Sequence, residues 1–107
     1  MKKHNFKNLQ VWQKARVLNK EIYQITRTFP DDEKFGLISQ LRRASISVMA
    51  NLAEGSGRKT AKDFGHFITM SCGSALEIES LLIASLDLGY LKDDEYSNLE
   101  EKINEVQ

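Results

Sequence analysis

The sequence predicts an all-α protein, an up-down-up-down antiparallel four-helix bundle that forms a single domain over residues 1–107. Three observations predict this fold. Apolar residues recur at steps of three and four in four segments, which is the spacing of one helix face. Short polar or glycine-containing stretches separate the segments, and no segment of useful length alternates as a strand does. The chain is also long enough to bury a core without a metal ion or a disulfide.

The first predicted helix covers residues 9–28. Asn8 is the expected N-cap, and Phe6 is placed to fold back onto the first turn. Pro30, the only proline, ends the helix because the residue before a proline is driven out of the helical conformation. The apolar seam of this helix consists of Val11, Ala15, Leu18, Ile22, Ile25 and Phe29.

The second predicted helix covers residues 31–54. Its start is assigned to the acidic run at residues 31–33, because carboxylates suit the positive end of a helix. Its end is assigned to Gly55-Ser56-Gly57, where glycine can adopt the left-handed conformation that closes a helix. The stripe predicted to face the core consists of Ile38, Leu41, Ser45, Val48 and Leu52.

The third predicted helix covers residues 61–88 and the fourth covers residues 94–106. Thr60 begins a capping-box pattern, and Gly89 is a suitable stop signal. The third helix is apolar on more than one side, so it is predicted to be the most buried. Asp93 or Asp94 is the expected cap of the fourth helix. The seam of the fourth helix consists of Tyr96, Leu99, Ile103 and Val106.

The composition is that of a soluble globular protein, with 41% hydrophobic and 28% charged residues. The basic N-terminus is not followed by an apolar signal segment, and no apolar run approaches the roughly 20 residues of a membrane span. The single cysteine, Cys72, cannot form an internal disulfide. We therefore expect a cytoplasmic protein without a membrane partner.

Charge is distributed unevenly although the net charge is zero. Residues 1–62 carry a balance of +8, and residues 63–107 carry −8. The simpler interpretation is that basic helices pair with acidic ones, within a monomer or between subunits. The other interpretation is an anion-binding face.

The residues do not form a recognisable catalytic or metal-binding pattern. His4 and His66 are far apart in the chain, and no Glu-x-x-His, His-x-x-x-His or Cys-x-x-Cys motif is present. Glu77 and Glu79 diverge on a helix because they are two residues apart, so they do not make a paired acid and base. The sequence predicts no enzyme, no cofactor, no metal and no small-molecule substrate.

A second stripe on the second helix is polar and runs beside the core stripe. Its spacing keeps five hydrogen-bonding groups on one side of the helix, and the third helix offers candidate partners. Two interpretations stay open: a satisfied polar network inside the bundle, or a subunit interface in which polar groups fix the register. The site residues are Gln40, Arg43, Ser47, Asn51 and Glu54, with Ser74 and Glu77 on the third helix.

Basic residues at the ends of the second helix are the case for a nucleic-acid contact. Exposed aromatic residues for base stacking are not interleaved with them, because Phe64 and Phe67 are assigned to the core. The candidate contact residues are Arg42, Arg58, Lys59 and Lys62, and Lys2, Lys3 and Lys7 add to the positive charge.

Several segments in order along the chain carry a family resemblance. They are Leu9-Gln10-Val11-Trp12-Gln13-Lys14-Ala15, Ile22-Tyr23, Phe29-Pro30, Glu33-x-Phe35-Gly36-Leu37, Gln40-Leu41-Arg42-Arg43-Ala44, Asn51-Leu52-Ala53-Glu54-Gly55-x-Gly57-Arg58, Gly73-Ser74 and Leu88-Gly89-Tyr90-Leu91. The chain resembles the bacterial four-helix-bundle proteins named for open reading frames in 23S rRNA intervening sequences. These proteins are also labelled ribosomal-protein-like. It also resembles the accessory variability determinant of diversity-generating retroelements.

The resemblance implies a small cytoplasmic bundle that assembles as a ring-like homopentamer. For the retroelement relatives it also implies binding to a reverse transcriptase and its RNA or DNA. Those relatives are clearly basic, whereas this chain is neutral overall. The family's most characteristic residues fall on Gln40, Arg43, Asn51, Glu54, Gly55, Gly57 and Arg58. Two functional hypotheses follow: a non-enzymatic homo-oligomeric scaffold or adaptor, and an RNA-associated accessory protein.

Overall fold

The computed structural model describes residues 5–107, and Lys2, Lys3 and His4 lie outside the described residues. Its four helices are α1 (Gln10–Thr26), α2 (Leu37–Ser56), α3 (Ala61–Asp87) and α4 (Asp93–Val106). Each helix packs on the next, and α4 packs on α1, which closes a bundle 49 Å long. No strand occurs between residues 5 and 107. The predicted all-α four-helix architecture is confirmed.

The core forms where the predicted seams meet, and its energy comes from burying their hydrocarbon. Leu18, Leu41, Ile78 and Ile103, one from each helix, have no exposed surface. The other buried apolar residues are Ala15, Ile22, Phe29, Ala44, Val48, Leu52, Ala75, Leu82, Leu91, Leu99 and Val106. Helix assignment from apolar periodicity therefore succeeded for all four segments.

The start of α1 is stabilised by an aromatic contact. Phe6, in a 3-10 turn over Phe6–Asn8, packs edge-on against Trp12 with ring centroids 5.0 Å apart, so the predicted fold-back of Phe6 is confirmed. The predicted Asn8 cap is wrong. Leu9 occupies the N-cap position and makes no side-chain cap hydrogen bond.

The predicted start of the second helix at residue 31 is wrong, because α2 begins at Leu37. Residues Asp31–Glu33 form a separate 3-10 turn. Gly36 interrupts the helix with φ −108° and ψ −113°, values outside the helical region. The carboxylate still serves the helix start, since Glu33 Oε1 accepts a hydrogen bond from the Leu37 N–H at 3.2 Å.

The end of α2 also differs from its prediction. The helix continues to Ser56, and Gly57 has φ −89°, so no left-handed glycine closes it. Gly55 is required for packing instead, because a Cβ atom there would lie 2.7 Å from Phe67 Cβ on α3. Gly89 at φ +80° is the left-handed glycine of the described chain, and it follows α3 as predicted.

The prediction that α3 is the most buried helix is wrong. The most apolar 18-residue window of α3 is only 22% buried, and Phe64, Met70, Leu76 and Ile83 are exposed. By length and composition α3 also meets the criterion for a membrane-crossing helix. The second apolar side of α3 therefore faces outward rather than into the core.

Of the caps predicted for the last two helices, the cap of α3 is confirmed and the cap of α4 is wrong. Thr60 Oγ1 accepts from the Asp63 N–H at 3.1 Å, so the predicted cap of α3 is confirmed. The predicted Asp93 or Asp94 cap of α4 is wrong, because Lys92 occupies that position. The Glu95 carboxylate accepts a hydrogen bond from the Lys92 N–H at 2.8 Å.

Candidate functional site

Part of the predicted polar stripe forms a hydrogen-bonded chain between α2 and α3. Ser74 Oγ lies 3.0 Å from Ser47 Oγ, which joins the two helices. The Asn51 amide donates to the Ser47 carbonyl at 2.9 Å and to Ser47 Oγ at 3.1 Å. All three side chains are half-buried. The structure thus brings these three predicted site residues together.

The remaining members of the stripe project outward along the same edge. Gln40, Arg43 and Glu77 are exposed. Antiparallel packing places Arg43 and Glu77 at nearly the same level, because each lies one turn from the Ser47–Ser74 contact. Their charged groups nevertheless form no ion pair, since the ion pairs within residues 5–107 are Arg58–Glu54 and Lys102–Glu21. We name the polar stripe and its partners on α3 the polar edge. Its inner residues Ser47, Asn51 and Ser74 are hydrogen-bonded to one another, and its outer residues are exposed to solvent.

Glu54 and Arg58 pair with each other at the end of α2. The guanidinium donates to Glu54 Oε2 at 3.0 Å, with side chains 59% and 43% exposed. Pairs this exposed contribute little stability, on the order of 0.5 kcal/mol. The Arg58 guanidinium also lies 4.6 Å from the Phe67 ring centroid, a cation–π contact that fixes its direction.

Arg42 points toward α1 rather than along the polar edge. Its Nε donates to Thr26 Oγ1 at 2.9 Å, and a terminal nitrogen donates to the Tyr23 carbonyl at 3.3 Å. The guanidinium carbon lies 4.6 Å from the Tyr23 ring centroid. Arg42 therefore holds α2 against α1.

Lys59 and Lys62 are exposed after α2, at the end of the bundle where Arg58 also lies. Lys7 is exposed near the start of α1, which an antiparallel bundle brings to the same end. This basic pole is the part of the predicted nucleic-acid contact that the structure brings together. Arg42, the fourth predicted contact residue, is not part of the basic pole, because it lies farther along α2 and contacts α1.

The two oppositely charged halves of the sequence do not neutralise each other within the described chain. The one ion pair between helices joins Glu21 Oε2 on α1 to Lys102 Nζ on α4 at 3.5 Å. In it the basic half supplies the carboxylate and the acidic half the ammonium group. The exposed cations Lys14, Arg16, Lys20 and Arg43 of α1 and α2 therefore form no ion pair with the carboxylates of α3 and α4.

The histidine, cysteine and acidic side chains form no cluster in the part of the chain that the structure describes. Among residues 5–107, no three His, Cys, Asp or Glu side chains converge as metal ligands. His66 is exposed beside Phe67, with ring centroids 5.7 Å apart, and Cys72 is half-buried. The absence of enzymatic activity remains a prediction.

Two tyrosines have raised pKa values, Tyr96 mainly through a hydrogen bond to a carboxylate and Tyr90 mainly through burial. The Tyr96 hydroxyl donates to Glu100 Oε2 at 2.7 Å, and this hydrogen bond, with smaller contributions from burial and negative charge, raises the pKa of Tyr96 to about 12. Burial and the hydrogen bond to Glu33 raise the pKa of Tyr90. Protonated phenols of this kind act as hydrogen-bond donors at neutral pH.

Sequence reasoning missed two polar links between helices. Asn19 Oδ1 accepts from Ser45 Oγ at 2.7 Å, which ties α1 to α2. Ser71 Oγ donates to the Val48 carbonyl at 3.2 Å, which ties α3 to α2. Ser45 stood in the stripe of the second helix that was predicted to face the core. A serine at a core position is the signal that could have indicated such a link, since a buried hydroxyl requires a partner.

The fold and the polar edge define a helical-bundle protein whose candidate site is a surface along two helices rather than a cleft. The chain belongs to the 23S rRNA-intervening sequence protein family, whose family model matches residues 7–107. A structure of a protein of unknown function from the S23 ribosomal protein family of Bacteroides thetaiotaomicron VPI-5482 is similar in fold, with a TM-score of 0.82. The sequence identity is 21%, over 90% of this chain and 87% of that chain. No curated protein matched the sequence.

Proposed function

We propose that this protein is a non-enzymatic, self-assembling helical bundle that acts in the cytoplasm as a homo-oligomeric scaffold or adaptor, with five copies in a ring. The observation that carries the proposal is the half-satisfied polar edge between α2 and α3. Ser47, Asn51 and Ser74 bond one another, while Arg43 and Glu77 lie open beside them. Aligned but unpaired charges at the rim of an apolar surface suit contact with another protein surface.

Exposed apolar side chains on the same bundle support this proposal. Leu76 is 56% exposed and Ile46 is 46% exposed, one on each of the helices that form the polar edge. Single exposed apolar residues are ordinary on a monomer. Helix α3 alone, however, also exposes Phe64, Met70 and Ile83, and several exposed apolar side chains on one helix are more typical of interface surfaces.

Light scattering after size exclusion tests the assembly. At micromolar concentration the proposal predicts a particle with five times the 12.2 kDa mass of the chain. A mass of 12.2 kDa would refute self-assembly, and another multiple would refute the pentamer alone. The same mass measurement on the double variant Arg43→Ala/Glu77→Ala tests whether the polar edge takes part in the assembly. Lys14→Ala, which lies away from the polar edge, is the control.

The second candidate is an RNA-associated accessory protein that binds nucleic acid or a reverse transcriptase. The basic pole of Lys7, Arg58, Lys59 and Lys62 favours it. Phosphate contacts by four cations would make the logarithm of the affinity fall with the logarithm of salt concentration, with a slope of about −3 on single strands. Filter binding across a salt series tests this, with Lys59→Ala/Lys62→Ala as the disrupting variant. No RNA retention at low salt would remove this candidate.

A further inference from the structure

The outward side of α3 carries a second regular seam. Thr69, Gly73, Leu76, Ser80 and Ile83, spaced four, three, four and three, are all exposed and uncharged; we name them the outer seam. This spacing is that of a helix face that packs against another helix. The inner seam of the same helix, which includes Ser71, Ala75, Ile78 and Leu82, is fully buried in the bundle. Helix α3 therefore has two packing faces, and the single chain covers one of them.

Carboxylates border the outer seam. Glu77 and Asp87 are exposed near it, and Glu79 is half-buried on the side toward α4. After Lys62 in the first turn of α3, which belongs to the basic pole, the rest of α3 and α4 has only two basic residues, Lys92 and Lys102. Lys102 is paired with Glu21. A partner for the outer seam must therefore combine apolar contact with positive charge.

The opposite long side of the molecule has that combination. Arg16, Asn19, Lys20 and Met49 line an open groove where α1 and α2 meet. Ile46, 46% exposed, lies one turn before Met49 on the same side of α2. We name the set Arg16, Lys20, Ile46 and Met49 the basic face.

No free carboxylate opposes the basic face on its own helices. The acidic residues within α1 and α2 are Glu21 and Glu54. Glu21 is engaged by Lys102 on the α4 side, and Glu54 by Arg58 at the end of α2. The positive charge of this face is therefore available to a carboxylate on another molecule.

From this complementarity we infer that the outer seam of one copy docks on the basic face of a second copy. This inference rests on the proposed self-assembly and names the two surfaces that perform it. Each copy uses two different surfaces, so the contact is heterologous. Repetition of a heterologous contact produces a closed ring when the rotation between neighbouring copies adds up to a full turn. Docking of two outer seams on each other would place carboxylates against carboxylates, which electrostatic repulsion disfavours.

The molecule offers enough surface for this contact. A long side measures 49 by 25 Å, which exceeds the roughly 800 Å² per partner of a standard stable interface. The small residues Gly73 and Ser80 alternate with Leu76 and Ile83 along the outer seam, so an approaching helix could come close between the larger side chains.

Two variants, each of which alters one surface, test the inference. Leu76→Arg places a cation against the basic face of the neighbour, and Ile46→Glu places a carboxylate against its outer seam. We expect each variant alone to have the mass of a monomer. An equimolar mixture should form a 1:1 heterodimer or a larger complex, because the intact outer seam of one variant can meet the intact basic face of the other. Where the two altered surfaces meet, the introduced charges are opposite in sign and do not repel each other. Phe35→Glu, at an 88% exposed apolar residue before the start of α2, is the matched control and should keep the wild-type mass.

Other outcomes overturn the inference in distinguishable ways. If the wild type assembles and both variants keep its mass, the docking surfaces are wrong while self-assembly stands. If Leu76→Arg is monomeric and Ile46→Glu still assembles, the outer seam meets a different surface, such as another outer seam. If the wild type is monomeric and pellets with phosphatidylglycerol vesicles while Leu76→Arg does not, the occupant of the seam is lipid. A wild-type monomer refutes the proposed function itself. Circular dichroism confirms that each variant is folded.

Discussion

Glu33 and Tyr90 join two loops that are far apart in sequence. The Tyr90 hydroxyl donates to Glu33 Oε2 at 3.1 Å, while the other oxygen of the same carboxylate accepts from the Leu37 N–H at 3.2 Å. One side chain therefore caps α2 and fixes the α3–α4 connection to the α1–α2 connection. Tyr90 also packs on Phe29 with ring centroids 5.4 Å apart.

Loss of the Glu33 carboxylate should loosen this end of the bundle. We expect Glu33→Ala to lower the free energy of unfolding by about 1 kcal/mol, the usual loss for a helix cap. Tyr90→Phe should have a smaller effect, because the cap on Leu37 remains. Urea denaturation measures both, and Asp31→Ala in the same turn is the control. Equal effects of Tyr90→Phe and Glu33→Ala would show that the cap contributes little.

Substitution of Gly55 should destabilise the contact between α2 and α3. A Cβ there would meet Phe67 Cβ at 2.7 Å and Phe64 Cδ1 at 3.4 Å, so we expect Gly55→Ala to cost about 1–3 kcal/mol through overpacking. Gly65→Ala on α3 is the matched control. A Cβ atom added at Gly65 would have no neighbouring atom within 4 Å, so helix propensity should make this substitution stabilising by up to about 1 kcal/mol. A stabilising Gly55→Ala in urea denaturation would contradict the close approach.

The geometry of Arg42 predicts that lysine cannot replace it. Arg42→Lys retains the charge but loses the fork that reaches both the Thr26 hydroxyl and the Tyr23 carbonyl. We expect a loss of about 1 kcal/mol for Arg42→Lys and about 2 kcal/mol for Arg42→Ala. Thermal unfolding measures these losses, with Lys14→Ala as an exposed control on α1. If Arg42→Ala unfolds at the wild-type temperature, the contact to α1 has no stabilising role.

Tyr96 should titrate later than an ordinary tyrosine. Its pKa of about 12, set first by the hydrogen bond to Glu100, lies above the usual value near 10. The folded state therefore retains the phenolic proton where the unfolded state has lost it. The stability that this group contributes is complete below pH 10 and is lost as the pH rises through about 12.

Ultraviolet titration near 295 nm measures this shift, since the chain contains three tyrosines and the difference from Tyr96→Phe isolates one. Glu100→Gln should move the midpoint of Tyr96 down toward about 10. A Tyr96 midpoint already near that ordinary value in the wild type would contradict the short hydrogen bond to Glu100.

Apolar periodicity was sufficient to predict four helices and most of the core, because each seam places its residues on one side of a helix. Cap positions were predicted less well. Gly36 breaks the helix after the acidic turn, so Glu33 caps α2 from a distance of four residues, and a local pattern does not reveal that. Gly55 matched a helix-stop signal, but glycine is required there because a side chain would collide with α3.

The candidate site was predicted in part for a similar reason. Helical spacing placed Ser47, Asn51 and Glu54 on one side of α2, but the partner of each depends on how the helices pack. Arg42 lies only one residue from Arg43, yet it turns to α1 while Arg43 stays at the outer edge. The sequence showed that α3 has apolar residues on more than one side, but it did not show that the second apolar side faces solvent rather than the core.

The central claim is that this bundle exists as an assembly of its own copies. Sedimentation equilibrium of the wild-type protein over a concentration series tests it most directly. We predict that the fitted mass of the wild type is five times 12.2 kDa and stays at that value down to micromolar concentration. The fitted mass of the Leu76→Arg variant should be that of a monomer. A single species of 12.2 kDa at every concentration would contradict the account.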